Sequence, residues 1–208
     1  MTVDAEGKVW PRRRPARRGE GDRLRDDIIN AACALLEESG DTSALSLRAV
    51  ARKTGVATTS IYLHFEDLNA LLRAVKSWWL DLLAEEVEAA AAGAGDDPRD
   101  RVRAIAHAYV NAATNEPARY QVLFSSEITP PTAGVPYLGV RAYGSVLERV
   151  REALPASADA DMVTLQFWCA LHGLVTLRQT RPRFPWPDLA LQVDDLATRL
   201  IDSAAQGV

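Results

Sequence analysis

Within twenty residues the chain places Ser46, Arg48, Thr58, Thr59, Ser60, Tyr62 and His64. These side chains donate and accept hydrogen bonds, but they do not compose a nucleophile, base and orienting acid. Their chemistry is recognition of a polar partner rather than bond breaking. Elsewhere the three histidines, His64, His107 and His172, are scattered, and neither a glycine-rich phosphate loop nor a paired-carboxylate motif stands out. His107 and His172, taken with Glu127, lack the close spacing of a ligand pair, so neither a metal nor a cofactor is expected.

The elements around these residues follow from the apolar pattern. Leu47, Val50 and Ala51 give a helix of about 47–53 an apolar face, with Arg48, Arg52 and Lys53 on the other side. Gly55 falls at a tight turn, where a positive φ is cheap only for glycine. Val56 then fills the angle to a second helix, about 58–64, which turns Thr58, Thr59 and Ser60 outward and Ile61 and Phe65 inward. Two helices of about two turns each bury no core of their own. They must lean on the preceding helix, whose stripe runs Leu24, Ile28, Ala32, Leu35 beside Ile29, Cys33 and Leu36 before Gly40 stops it. The three-helix unit therefore offers its last short helix to solvent, as a helix-turn-helix does to the major groove.

This constellation resembles the TetR family of transcriptional regulators. The family's apolar helix, Gly-Val turn, Tyr-x-His-Phe and following leucine stand here as Leu47-Arg48-Ala49-Val50-Ala51, Gly55-Val56, Tyr62-Leu63-His64-Phe65 and Leu71. The resemblance covers about residues 22–72. It implies that Ser46, Arg48, Thr58, Thr59, Ser60, Tyr62 and His64 face DNA. Ser46, Tyr62 and His64 suit phosphates, while Arg48 and Thr58 to Ser60 suit base edges. Two positions depart from the family. Ala57 replaces the usual serine N-cap, and Leu68 stands where a lysine normally helps hold a phosphate.

The formal net charge of −4 conceals a segregation. Lys8 to Arg25 holds eight basic residues against two acidic ones, whereas the chain beyond Ser77 is acidic on balance. Residues 1–21, rich in proline and glycine, read as a disordered basic arm. Arg12, Arg13, Arg14, Arg17 and Arg18 either enter a minor groove or merely solvate a tail. Cys33 and Cys169 each lie in an apolar helical pattern and are expected as buried reduced thiols. With neither a secretory h-region nor a membrane span of about 20 apolar residues, the expected location is the cytoplasm.

Residues 73–208 read as a ligand-binding and dimerisation domain of further helices, about nine in the whole chain, so the fold class is all-α. Trp168-Cys169-Ala170-Leu171-His172-Gly173 resembles a TetR C-terminal type named for Trp, His and Gly. Gly173 in an apolar helix suggests tight helix packing, plausible at a dimer seam. The family's dimer is a four-helix bundle, which here implies helices of about 159–180 and 188–206. An effector pocket is expected among helices of about 98–180, with Trp79, His107, Tyr109, Phe124, Phe167, Trp168 and His172 as candidate walls. The resemblance therefore implies a homodimeric repressor of a double-stranded operator, palindromic and released by a small molecule. An enzyme or carrier on a helical bundle, and a regulator without ligand, are the rival readings.

Overall fold

The computed structural model describes residues 2–3, 9–10, 20–125 and 138–206. The arginines at 12, 13, 14, 17 and 18, Glu127 and the proline-rich stretch before Pro136 lie outside the described residues. Nine α-helices account for most of the rest: α1 Glu20–Ser39, α2 Leu47–Thr54, α3 Thr58–Ile61, α4 Leu68–Gly93, α5 Pro98–Asn115, α6 Pro117–Ser125, α7 Val140–Ala153, α8 Ala160–Thr180 and α9 Leu189–Gln206. The sequence pattern offers no strand, yet Thr2–Val3 (β1) and Val9–Trp10 (β2) pair as a two-residue antiparallel ladder. Among the described residues no helix is long and apolar enough to cross a membrane.

The chain stops build the head. Gly40 (φ 68°) ends α1, and Asp41 caps a 3-10 turn over Thr42–Ala44 by accepting from the Ser43 amide. Ser46 caps α2 and Gly55 (φ 70°) closes it in the left-handed region, its amide donating to the Ala51 and Arg52 carbonyls. Helix α3 is shorter than its pattern predicts, with one turn to Ile61 and a turn through His64 instead of a helix to 64. Ala57 at its N-cap makes no side-chain hydrogen bond, which leaves this turn without a polar start.

Two cores result. The first gathers Ile28, Ala32 and Leu36 of α1, Val50 of α2, Ile61, Phe65, and Leu71, Leu72, Val75 and Trp79 of α4, sealed by Val122 of α6. The second joins Val87 of α4, Ile105 and Val110 of α5, Val150 of α7, Phe167, Leu171 and Val175 of α8, and Val193 and Ile201 of α9. Helix α4 thus belongs to both. Its 26 residues hold no proline and no glycine before Gly93, so nothing kinks it between them.

The two cysteines separate. Cys33 is buried, and desolvation, reinforced by the Glu37 carboxylate, pushes its thiol up to about 12, so it stays an inert thiol. Cys169 is free but exposed, against expectation, because it lies on the side of α8 opposite buried Leu171 and Phe167. The apolar pattern of α8 runs around the helix. Only one side of it meets the core within a single chain.

Candidate nucleic-acid interface and apolar cavity

The polar residues of the head sit where the turn geometry puts them. Ser46 is exposed, and its Oγ accepts from the Ala49 amide (3.2 Å), which leaves the hydroxyl proton to donate outward. Arg48 and Thr59 are exposed, Thr58, Ser60 and His64 half-buried, and Tyr62 is 56% exposed beside Leu63 at 82%. Phe65, by contrast, is buried with Ile61, and the Arg25 guanidinium lies 5.2 Å from its ring centroid. Lys53 is held by Glu38 at 2.6 Å, pinning the end of α2 to α1. The seven recognition candidates therefore lie on α2, α3 and the turn after it, over an apolar base.

Sequence reasoning missed one anchor. Asp67 caps α4, accepting from the Ala70 amide at 2.7 Å, and so supplies the polar helix start that α3 lacks. The signal was an aspartate immediately before an apolar helical run. Leu68, in the place of the family's lysine, is half-buried and packs on the head's core.

Behind the head, α4, α5, α6, α7 and α8 enclose a cavity of about 530 Å³, within the usual range for a small-molecule site. Leu80, Leu83 and Val87 of α4 line it, with Ile105, Tyr109, Leu123, Phe124, Val146, Phe167, Trp168 and Leu171. Of the expected wall residues, Tyr109, Phe124, Phe167 and Trp168 are in place. Trp79 is not: it is 1% exposed inside the head's core, with the Arg119 guanidinium 5.7 Å from its ring centroid. His107 is not either, because it faces α9, its Nε2 2.8 Å from Asp194 Oδ1. His172 stands one layer behind the wall, its ring 4.8 Å from that of Phe124. Tyr120 Oη lies 2.6 Å from His172 Nδ1 and 3.2 Å from Tyr109 Oη. Desolvation lowers the pKa of His172, favouring a neutral ring that accepts from the Tyr120 hydroxyl. It raises that of Tyr109, which stays a phenol.

The wall residue no pattern announced is Lys76. It is 1% exposed, and its Nζ donates to the Leu123 carbonyl of α6 at 3.2 Å. Burial draws its ammonium down to about 8. Its position in register with Leu72, Leu80 and Leu83 was the available signal: a cation inside an apolar stripe.

A helix-turn-helix head on a helical body with an apolar cavity is the architecture of a DNA-binding transcriptional regulator. Residues 28–75 match the model of bacterial regulatory proteins of the tetR family, and residues 102–204 that of a tetracyclin repressor-like C-terminal domain. An uncharacterized HTH-type transcriptional regulator of Mycobacterium tuberculosis is 31% identical over 166 residues, 75% of this chain and 70% of its own. The chain belongs to the TetR family of transcriptional regulators, and its relatives are transcription factors rather than enzymes. A solved protein with unknown function from Rhodococcus sp. RHA1 superposes with a TM-score of 0.70 at 26% identity, covering 96% of this chain and 99% of that one. A TetR family transcription regulator from Marinobacter aquaeolei VT8 shares the fold, with a TM-score of 0.62 at 16% identity over 90% of this chain and 98% of its own.

Proposed function

We propose that the protein is a homodimeric repressor that binds a palindromic operator and is released by a small molecule. The observation that carries this reading is the continuity of α4. One helix supplies Leu71, Leu72 and Val75 to the base of the DNA head and Leu80, Leu83 and Val87 to the cavity. A molecule seated in the cavity that favours a different placement of α4 moves the head with it. Such a ligand acts only through a difference in affinity between the two placements.

In this reading Ser46, Tyr62 and His64 hold phosphates, while Arg48, Thr58, Thr59 and Ser60 reach base edges. Arg12, Arg13 and Arg14 add contacts from the N-terminal arm. The dimer forms through α8 and α9. Met162, Leu165, Cys169 and Leu177 expose one side of α8, and Leu191 of α9 is 69% exposed. Gly173 lies on the same side of α8, and a Cβ there would meet nothing within 4 Å in its own chain. A close approach at this glycine is therefore left to a second copy, which suits a symmetric interface. Its place of work is the cytoplasm, where the operator is.

Footprinting on the intergenic region beside its gene tests the reading. Protection of a palindrome, with half-sites about one helical turn apart, is expected. Absence of specific, salt-sensitive protection there overturns it. Deleting residues 1–19 should lower the slope of log affinity against log salt by about 0.9 for each phosphate that the arm neutralises. An unchanged slope removes the arm from the interface.

A further inference from the structure

We propose that the cavity takes an uncharged, predominantly apolar molecule about 10 Å long or longer, and that its walls select against an ionic head. This deepens the effector reading above and rests on it. Leu80, Leu83 and Val87 recur on α4 at the spacing of one helix face, and from first to last they span about 10 Å along its axis. The other helices add Phe124 of α6, Val146 of α7, and Phe167 and Leu171 of α8. A molecule lying along this stripe exchanges water for carbon, and its gain grows with the apolar area it buries.

The polar side chains of the described wall are already in use. Lys76 Nζ donates to the Leu123 carbonyl at 3.2 Å and has a further interaction besides, so its ammonium serves the wall itself. Thr164 Oγ1 donates to the Ala160 carbonyl at 2.7 Å, and the Tyr143 hydroxyl to the Asp161 carbonyl at 3.3 Å. The Tyr109 hydroxyl lies 3.2 Å from that of Tyr120 and takes a hydrogen bond from the Trp168 side chain. Arg141, between the lining residues Val140 and Ala142, meets Asp81 at 3.5 Å and Glu85 at 3.7 Å. An anionic head would have to draw Lys76 or Arg141 from partners they hold, and near Arg141 it would meet those two carboxylates. A cationic head would find no carboxylate in the described wall. An ion taken from water is costly wherever its new surroundings do not repay its hydration. A polyol would leave hydroxyls unpaired for the same reason. An uncharged apolar molecule asks nothing of these groups.

Fluorescence titration of the full chain at pH 7 tests this with two probes that share a ring system. N-phenyl-1-naphthylamine is uncharged, and 1-anilinonaphthalene-8-sulfonate adds one sulfonate. The uncharged probe should bind at least about tenfold more tightly. Its displacement by hexan-1-ol, octan-1-ol and decan-1-ol should show affinity rising about three- to fourfold per methylene. Decanoate and decyltrimethylammonium should compete at least about tenfold more weakly than decanol. L83W and V146W, each confirmed folded by its melting curve, should lose the uncharged probe because the new ring fills the cavity. Equal or tighter binding of the sulfonate, a charged ten-carbon probe that matches decanol, or a flat alkanol series overturns the assignment. So does binding of the uncharged probe that survives in a folded tryptophan variant. If neither variant folds, the charge comparison and the alkanol series decide alone. Failure of every uncharged probe to bind overturns the cavity as a site for this class. Selective decanol binding without release of the footprinted operator would leave this assignment standing and overturn the release reading.

Discussion

The DNA head and the cavity behind it are assembled on different length scales. Nearly every part of the head lies between Leu24 and Trp79, each step fixed by the residue beside it: a serine cap, a glycine turn, an aspartate cap. The cavity draws its walls from α4, α5, α6, α7 and α8, which span from Lys76 to Leu171. The head also presents its polar groups to solvent on a filled base, whereas the described walls of the cavity are mostly apolar. A filled base resists change, and a lined void tolerates it. On the proposed reading, the contrast separates a part that must hold its shape from one that must admit a guest.

Truncation should expose that difference most strongly. Leu36→Ala, in a side chain with 0% exposure in the head, should cost about 2–5 kcal/mol in urea unfolding. Leu83→Ala, at a half-buried cavity wall, should cost under about 2 kcal/mol, because the neighbouring void is already present. Equal costs would mean that the cavity collapses in solution. At the head's surface, Arg48→Ala should weaken operator binding by about 1–3 kcal/mol in a titration, with an unchanged melting temperature. A matching drop in stability would recast Arg48 as structural. The smallest contrast concerns the caps. Asp67→Ala should destabilise by about 0.5–2 kcal/mol, and Ala57→Ser should restore part of that loss by giving α3 the acceptor it lacks. If Ala57→Ser destabilises instead, the bare start of α3 is set by the turn and not by the missing hydroxyl.

The same contrast governs what the sequence revealed. All nine helices and the helix-turn-helix were legible because period, caps and turn glycines are local signals. The placement of Phe65 and Ile61 in the base followed from the same period. Trp79, His107 and His172 lie outside the lining of the cavity because helical spacing shows that a side chain faces inward but not which layer or which of two cores it meets. Trp79 went to the head, and His107 turned to Asp194 of α9. Cys169 was misjudged because a helix apolar on all sides looks buried all round when only one chain's packing is weighed. Lys76 was passed over because lysine in an amphipathic pattern ordinarily marks solvent, and its burial depends on α6 arriving from 47 residues away.

Helix α4 also sets the mechanical gain between the two parts. From Val87 to Leu68 it spans roughly 28 Å of unkinked helix. Pivoting about Val87 by roughly 5° would carry Leu68 by roughly 2.5 Å, taking the helix as a straight rod. A hydrogen bond to a base edge is lost within well under 1 Å of stretch. The rod therefore amplifies: a motion small enough for side chains in the second core to absorb is large on the scale of base recognition. On the proposed release reading, the stiffness of α4 between the two cores is itself a functional property. On that reading, a glycine in place of half-buried Ser77, between Val75 of the head's core and Leu80 of the cavity, should weaken the transmission between them.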